Sequence, residues 1–163
     1  RAAASDHAAA QFCLGRRLER GDGAAADKAR ALALWERAAA HGHPAALFSL
    51  GTKYERGDGV PRDEGKALEL CARAARHGHA GAQFGLGARY NKGEGVQQDP
   101  AKAAELWELA AEQGHSAAQF NLGIKYYSGD GVEEDLERAE ELWEKAAAQG
   151  HADAAHNLSM LRG

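Results

Sequence analysis

Little in this 163-residue chain points to reactive chemistry. Its two cysteines, Cys13 and Cys71, are too few for a disulfide framework, and neither stands in a CxxC or Cys/His spacing that would hold zinc. No apolar run approaches the roughly 18 to 20 residues that span a bilayer, which argues against membrane insertion by a helix. Twenty basic residues stand against 24 acidic ones, a net charge of -4, so no bulk basicity points to nucleic acid. No G-x-S-x-G, S-x-x-K, H-E-x-x-H or Walker lysine occurs, so no nucleophile, base and acid set is visible. The sole methionine is Met160 and the chain opens at Arg1, so a processed product or a piece of something longer is expected.

What is present is periodic. His7, His43, His79, His115 and His151 recur every 36 residues. On that frame each unit reads A-x-F-x-L-G-x-x-Y, then G-[DE]-G, then Asp, then A-x-x-L-W-x-x-A-A, then Gly-His. Phe12, Phe48, Phe84 and Phe120 form one column, Trp35, Trp107 and Trp143 a second, and Tyr54, Tyr90 and Tyr126 a third. Only Tyr127 falls outside, so the rings are expected in the core rather than around a ligand.

Each unit predicts two helices. In the second, Ala67, Leu70, Cys71, Ala74 and Ala75 follow the i, i+3, i+4, i+7, i+8 stripe of an amphipathic helix. Asp27, Asp63, Asp99 and Asp135 stand as N-caps, with Pro100 at a first helical position, and Gly42, Gly78, Gly114 and Gly150 suit a left-handed terminus. The first helix starts after the repeating histidine, whose side chain can help cap it, and ends at the Gly-x-Gly loop. Those loops lie between helices, not after a strand, and therefore read as turns and not as a dinucleotide fingerprint. Such small helix pairs hide their stripes only by stacking on one another. The expectation is an all-α, α/α superhelical solenoid of about four and a half 36-residue helix-turn-helix repeats. It forms a single domain over 1–163: a tail of a preceding unit at 1–6, repeats near 7–42, 43–78, 79–114 and 115–150, and a polar closing helix at 151–163.

These motifs resemble the Sel1-like repeats, α/α solenoids related to tetratricopeptide repeats; AAQFNLGIKYYSGDGVEEDLERAEELWEKAAAQG from residue 117 carries the whole signature. Ala24 replaces the loop valine, Leu18 the tyrosine and Cys71 the tryptophan, and the last change should thin its layer unless neighbours fill it. The resemblance implies an adaptor or scaffold that holds other proteins, with the first-helix face as its concave surface. A branch of that family staples each repeat with a disulfide, but Cys13 and Cys71 occupy different units and columns.

One column is basic in all four units, Arg17, Lys53, Arg89 and Lys125, and Arg20, Arg56 and Lys92 repeat the pattern a turn later. These seven residues are the candidate partner-binding site, a ladder of cations suited to an acidic peptide or a free C-terminus. The other reading of the same column is a solvated face whose cations pair with Glu19, Glu55 or the loop acids. Net charge also drifts from +2 and +1 in the first two units to -2 and -5 in the next two, which could favour weak self-association. The drift equally fits a soluble outer helix rich in Glu133, Glu134, Glu137, Glu140, Glu141 and Glu144. No catalytic residue, cofactor or metal is expected. A non-enzymatic interaction module is the first functional reading, a rigid spacer in a larger assembly the second, and a hydrolase the weakest.

Overall fold

The computed structural model describes residues 2–23 and 25–163, with side chains from His7 onward. Arg1 and the loop position Ala24 lie outside the described residues, and so do the side chains of the segment read as a tail. Nine helices and no strand occur among the described residues: α1 (Ala2–Arg20), α2 (Lys28–Ala40), α3 (Pro44–Arg56), α4 (Glu64–Arg76), α5 (Ala80–Lys92), α6 (Pro100–Glu112), α7 (Ser116–Ser128), α8 (Leu136–Ala148) and α9 (Ala152–Arg162). Two compact units result, Arg1–Ala82 and Gln83–Gly163, with the division inside α5.

The boundaries follow from local chemistry. Asp27, Asp63, Asp99 and Asp135 each accept the backbone N–H three residues on, at 2.9 to 3.0 Å. The first helices start on histidine: His43, His79 and His115 use Nδ1 to accept the N–H of Ala46, Ala82 and Ala118 at 3.1 to 3.3 Å. Gly42 and Gly114, with φ of 77° and 82°, turn the chain where a side chain would be strained. Helix α1 differs, running through His7 without that break. Asp6 there stands in the column that holds glycine elsewhere, and without a left-handed residue the helix continues. His7 accordingly pairs with Gln11 one turn on and caps nothing.

Alanine lines the interior, with Ala38, Ala46 and Ala74 in the first unit and Ala103, Ala118 and Ala146 in the second fully buried. Small side chains let α1 pack on α2, α3 on α4 and α7 on α8 as close hairpins. The tryptophans are core, 2 to 3% exposed. Each indole donates from Nε1 to the carbonyl of its hairpin's phenylalanine, Trp35 to Phe12, Trp107 to Phe84 and Trp143 to Phe120, at 3.1 to 3.2 Å.

The other two aromatic columns correct the sequence reading. The phenylalanines are half-buried and stack on the capping histidine of the next repeat: Phe12 on His43, Phe48 on His79, Phe84 on His115 and Phe120 on His151, at 4.4 to 4.9 Å between ring centres. Burial pushes His43 and His115 below the usual histidine range. The tyrosines are half-buried too, because their hydroxyls need partners: Lys66 donates to Tyr54 at 2.7 Å, and Tyr126 donates to Glu108, which also holds Arg138 at 2.8 Å. Phenylalanine and tyrosine thus join repeats and hairpins at their margins. The closing helix α9 is held by Arg162, which pairs with Glu140 and Glu144 of α8.

Candidate functional site

The first helices present a groove that is built the same way in both units. In the first unit Glu19, Trp35, Phe48, Ser49, Thr52, Lys53, Arg56 and Asp58 surround about 320 Å³. In the second, Asn91, Trp107, Asn121, Ile124, Lys125, Ser128 and Asp130 surround about 210 Å³. Seven of the first groove's positions reappear 72 residues on, two repeats away.

The floor of each groove is a buried lysine over a tryptophan. Lys53, 8% exposed, donates from Nζ to Glu19 at 2.7 Å and to Asp58 at 2.9 Å, and stands 5.4 Å from the centre of the Trp35 ring. Because the indole N–H is already spent on Phe12, the ring offers the ammonium its electron-rich face. Burial pulls the Lys53 ammonium down, but the Glu19 and Asp58 carboxylates outweigh it and hold the group above its ordinary range. Hydrogen bonding and charge from Lys53 in turn lower Asp58. Lys125, 4% exposed, repeats the arrangement with Asp130, the Asn91 carboxamide and the Trp107 ring at 5.8 Å. A buried ammonium is tolerable only when its charge is met in this way.

The seven candidate cations are therefore not equivalent. Lys53 and Lys125 are buried, ion-paired floor residues, and of the two readings left open above, neutralisation by Glu19 and loop acids holds for Lys53. Arg56 is exposed on the rim of the first groove. Arg17 and Arg20 are exposed on α1. On α5, Arg89 is half-buried, and Lys92 is exposed with Glu94 at 3.6 Å. Sequence reasoning missed the tryptophans as groove floor and the rim residues Asn91, Asn121, Ile124 and Ser128. A signal for the floor was there: the basic column is followed five residues later by the loop acid in all four units, Asp22, Asp58, Glu94 and Asp130.

The polar groups of the floor are paired with one another, and among the described residues no three His, Cys, Asp or Glu side chains gather as a metal site needs. Cys13 is exposed; Cys71 is half-buried, its thiol donating to the Ala82 carbonyl at 3.6 Å, and neither forms a disulfide. No described helix is long and apolar enough to cross a membrane.

Helical hairpins repeating every 36 residues, three of them built on a buried tryptophan that donates to a phenylalanine carbonyl, define an α-helical repeat protein, an all-α solenoid. The model of the Sel1 repeat matches residues 8–43, 44–79, 80–115 and 116–151, and the chain belongs to that family, whose members are generally protein–protein interaction modules and typically non-catalytic. Among solved structures, it is similar to a protective antigen of uropathogenic Escherichia coli that displays an SLR fold, at 38% identity and a TM-score of 0.83 over 94% of this chain. It is also similar to a Sel1 repeat protein from Oxalobacter formigenes, at 36% identity and a TM-score of 0.91 over 98% of this chain. The chain spans only 33% and 47% of the lengths of those two proteins. Helicobacter pylori cysteine rich protein B shares the fold at 22% identity, with a TM-score of 0.61, 89% of this chain and 97% of that one being covered. None of the curated proteins matches the chain.

Proposed function

We propose that this chain is a non-enzymatic adaptor or scaffold, a single array over 1–163, that binds a peptide or protein segment on its first-helix face. The observation that carries this reading is the recurrence of one groove at equivalent residues of both units, with a constant floor and a changing rim. A constant floor is what stability requires, and a changing rim is what partner choice requires. The cations Arg17, Arg20, Arg56 and Lys92 stand exposed on the same helices and supply attraction for an acidic segment. Lys53 and Lys125 act by shaping the floor, and Arg89 flanks them in its column. The alternative, a spacer docking through the acidic α8, is less favoured because Glu140, Glu141 and Glu144 are already paired with Arg162 and Arg138.

Reversing Arg17, Arg20, Arg56 and Lys92 together to Glu should weaken capture of an affinity-purified partner at least tenfold at low salt, with unchanged helicity by circular dichroism. Undiminished binding by that variant would remove the cations from the site.

A further inference from the structure

We infer that the second unit's groove takes an uncharged, extended peptide segment, the carboxamides of Asn91 and Asn121 meeting its backbone while Ile124 takes an aliphatic side chain. This rests on the peptide-binding reading above and deepens it by naming the partner's chemistry at one site.

The two grooves serve as an internal alignment. Trp35 and Trp107, Lys53 and Lys125, and Asp58 and Asp130 keep their identities across the 72-residue shift. Every rim position changes: Glu19 becomes Asn91, Ser49 becomes Asn121, Thr52 becomes Ile124, and Arg56 becomes Ser128. Going from the first groove to the second removes one carboxylate and one guanidinium and adds two carboxamides and a branched aliphatic.

What remains charged in the second groove is used internally. Lys125 pairs with Asp130, and its further hydrogen bond goes to the neutral Asn91. A charged ligand side chain entering there would lose water and meet only Lys125 and Asp130, which already neutralise each other, and this costs more than placing a neutral group. A peptide group carries one donor and one acceptor, and so does one edge of a carboxamide. Asn91 accepts from Lys125 at Oδ1, so what it offers a ligand is its N–H donors, suited to a peptide carbonyl, while Asn121 supplies the acceptor. Ile124 is 39% exposed and lines the same space as the two asparagines. At about 210 Å³ the space lies below the roughly 300 to 1,000 Å³ of pockets that enclose small ligands. It fits one side chain of a longer segment.

The test uses the full chain and three fluorescein-labelled ten-residue peptide pools with Gly, Ser, Asn and Gln flanks, centred on Leu/Ile/Val, on Asp/Glu or on Lys/Arg, read by fluorescence anisotropy. The aliphatic pool should bind most tightly. Ile124→Asp and Asn91→Asp should each weaken it at least tenfold, whereas Glu137→Gln on α8, outside both grooves, should leave it unchanged, all with wild-type helicity. An undiminished signal from Ile124→Asp would overturn the assignment. Preference for the acidic pool, abolished by Arg56→Ser, would overturn it too while leaving the peptide-binding reading in place; binding of no pool would overturn both.

Discussion

The hairpins built on Trp35, Trp107 and Trp143 differ from the one that carries Cys71, and the difference shows what the glycine column is for. A Cβ at Gly15, Gly87 or Gly123 would stand 2.5 to 2.6 Å from the indole Nε1 of its partner tryptophan, a distance no packed atoms hold. At Gly51, in the Cys71 hairpin, the nearest atoms would be the Ala67 carbonyl at 3.3 Å and the Cys71 backbone and Leu70 side chain at 3.5 Å. Glycine is thus required where an indole crosses the first helix to reach the phenylalanine carbonyl. In the Cys71 hairpin it is nearly dispensable. A column that reads as one feature in sequence performs two grades of work.

The comparison breaks most visibly at the rings themselves. Trp143→Ala should cost about 3 to 5 kcal/mol by opening a cavity under α7, whereas Cys71→Ala should cost about 1 kcal/mol or less. Urea unfolding followed by circular dichroism measures both, and equal losses would contradict the distinction. Next comes the glycine: Gly123→Ala forces the indole out and breaks the Trp143–Phe120 hydrogen bond, for about 2 to 4 kcal/mol. Gly51→Ala trades a tight contact against the better helix propensity of alanine and should fall within about 1 kcal/mol of wild type. A similar loss at both positions would show that close helix approach, and not the ring, selects glycine.

The smallest expected effect concerns the capping histidines. In the folded chain burial lowers His43 and His115 below the ordinary histidine value of about 6.5, so the unfolded chain takes up their protons first. Their stabilisation is therefore complete above about pH 6.5 and is lost as the pH falls through that value toward the lower folded pKa. His43→Asn/His115→Asn keeps a side-chain acceptor at each cap without a titrating group. Melts between pH 7.5 and 5 should fall less steeply for this double variant than for wild type; parallel curves would mean that other groups carry the acid sensitivity. His151, whose Nδ1 is buried without a hydrogen-bond partner, makes no cap bond.

Much of this was legible because the chain repeats itself. The 36-residue period and the Asp and Gly boundary columns specified each hairpin, since caps and left-handed turns depend on neighbours a few residues away. Three features depend on neighbours 18 to 31 residues away and were not legible in the same manner. Phe12 stacks on His43 instead of entering the core, Tyr126 reaches Glu108, and Lys53 lies buried over Trp35. All three look like core or surface residues in a helical wheel, because a wheel contains no second hairpin. For the site, Lys53 and Arg56 were found as cations, but Asn91, Asn121 and Ile124 carry no charge pattern and emerged only when the grooves were superposed by residue number. The missing break at His7 was visible in principle, since Asp6 stands where glycine should.

The central claim is that partners are held by the first-helix grooves and not by the acidic second helix α8. Photo-crosslinking residues placed singly at Ser49, at Asn121 and at Glu137 of α8 test it directly in the presence of a purified partner. The account predicts adducts from Ser49 and Asn121 and none above background from Glu137. Adducts confined to Glu137 would contradict it and make the chain a spacer that docks by its outer helix.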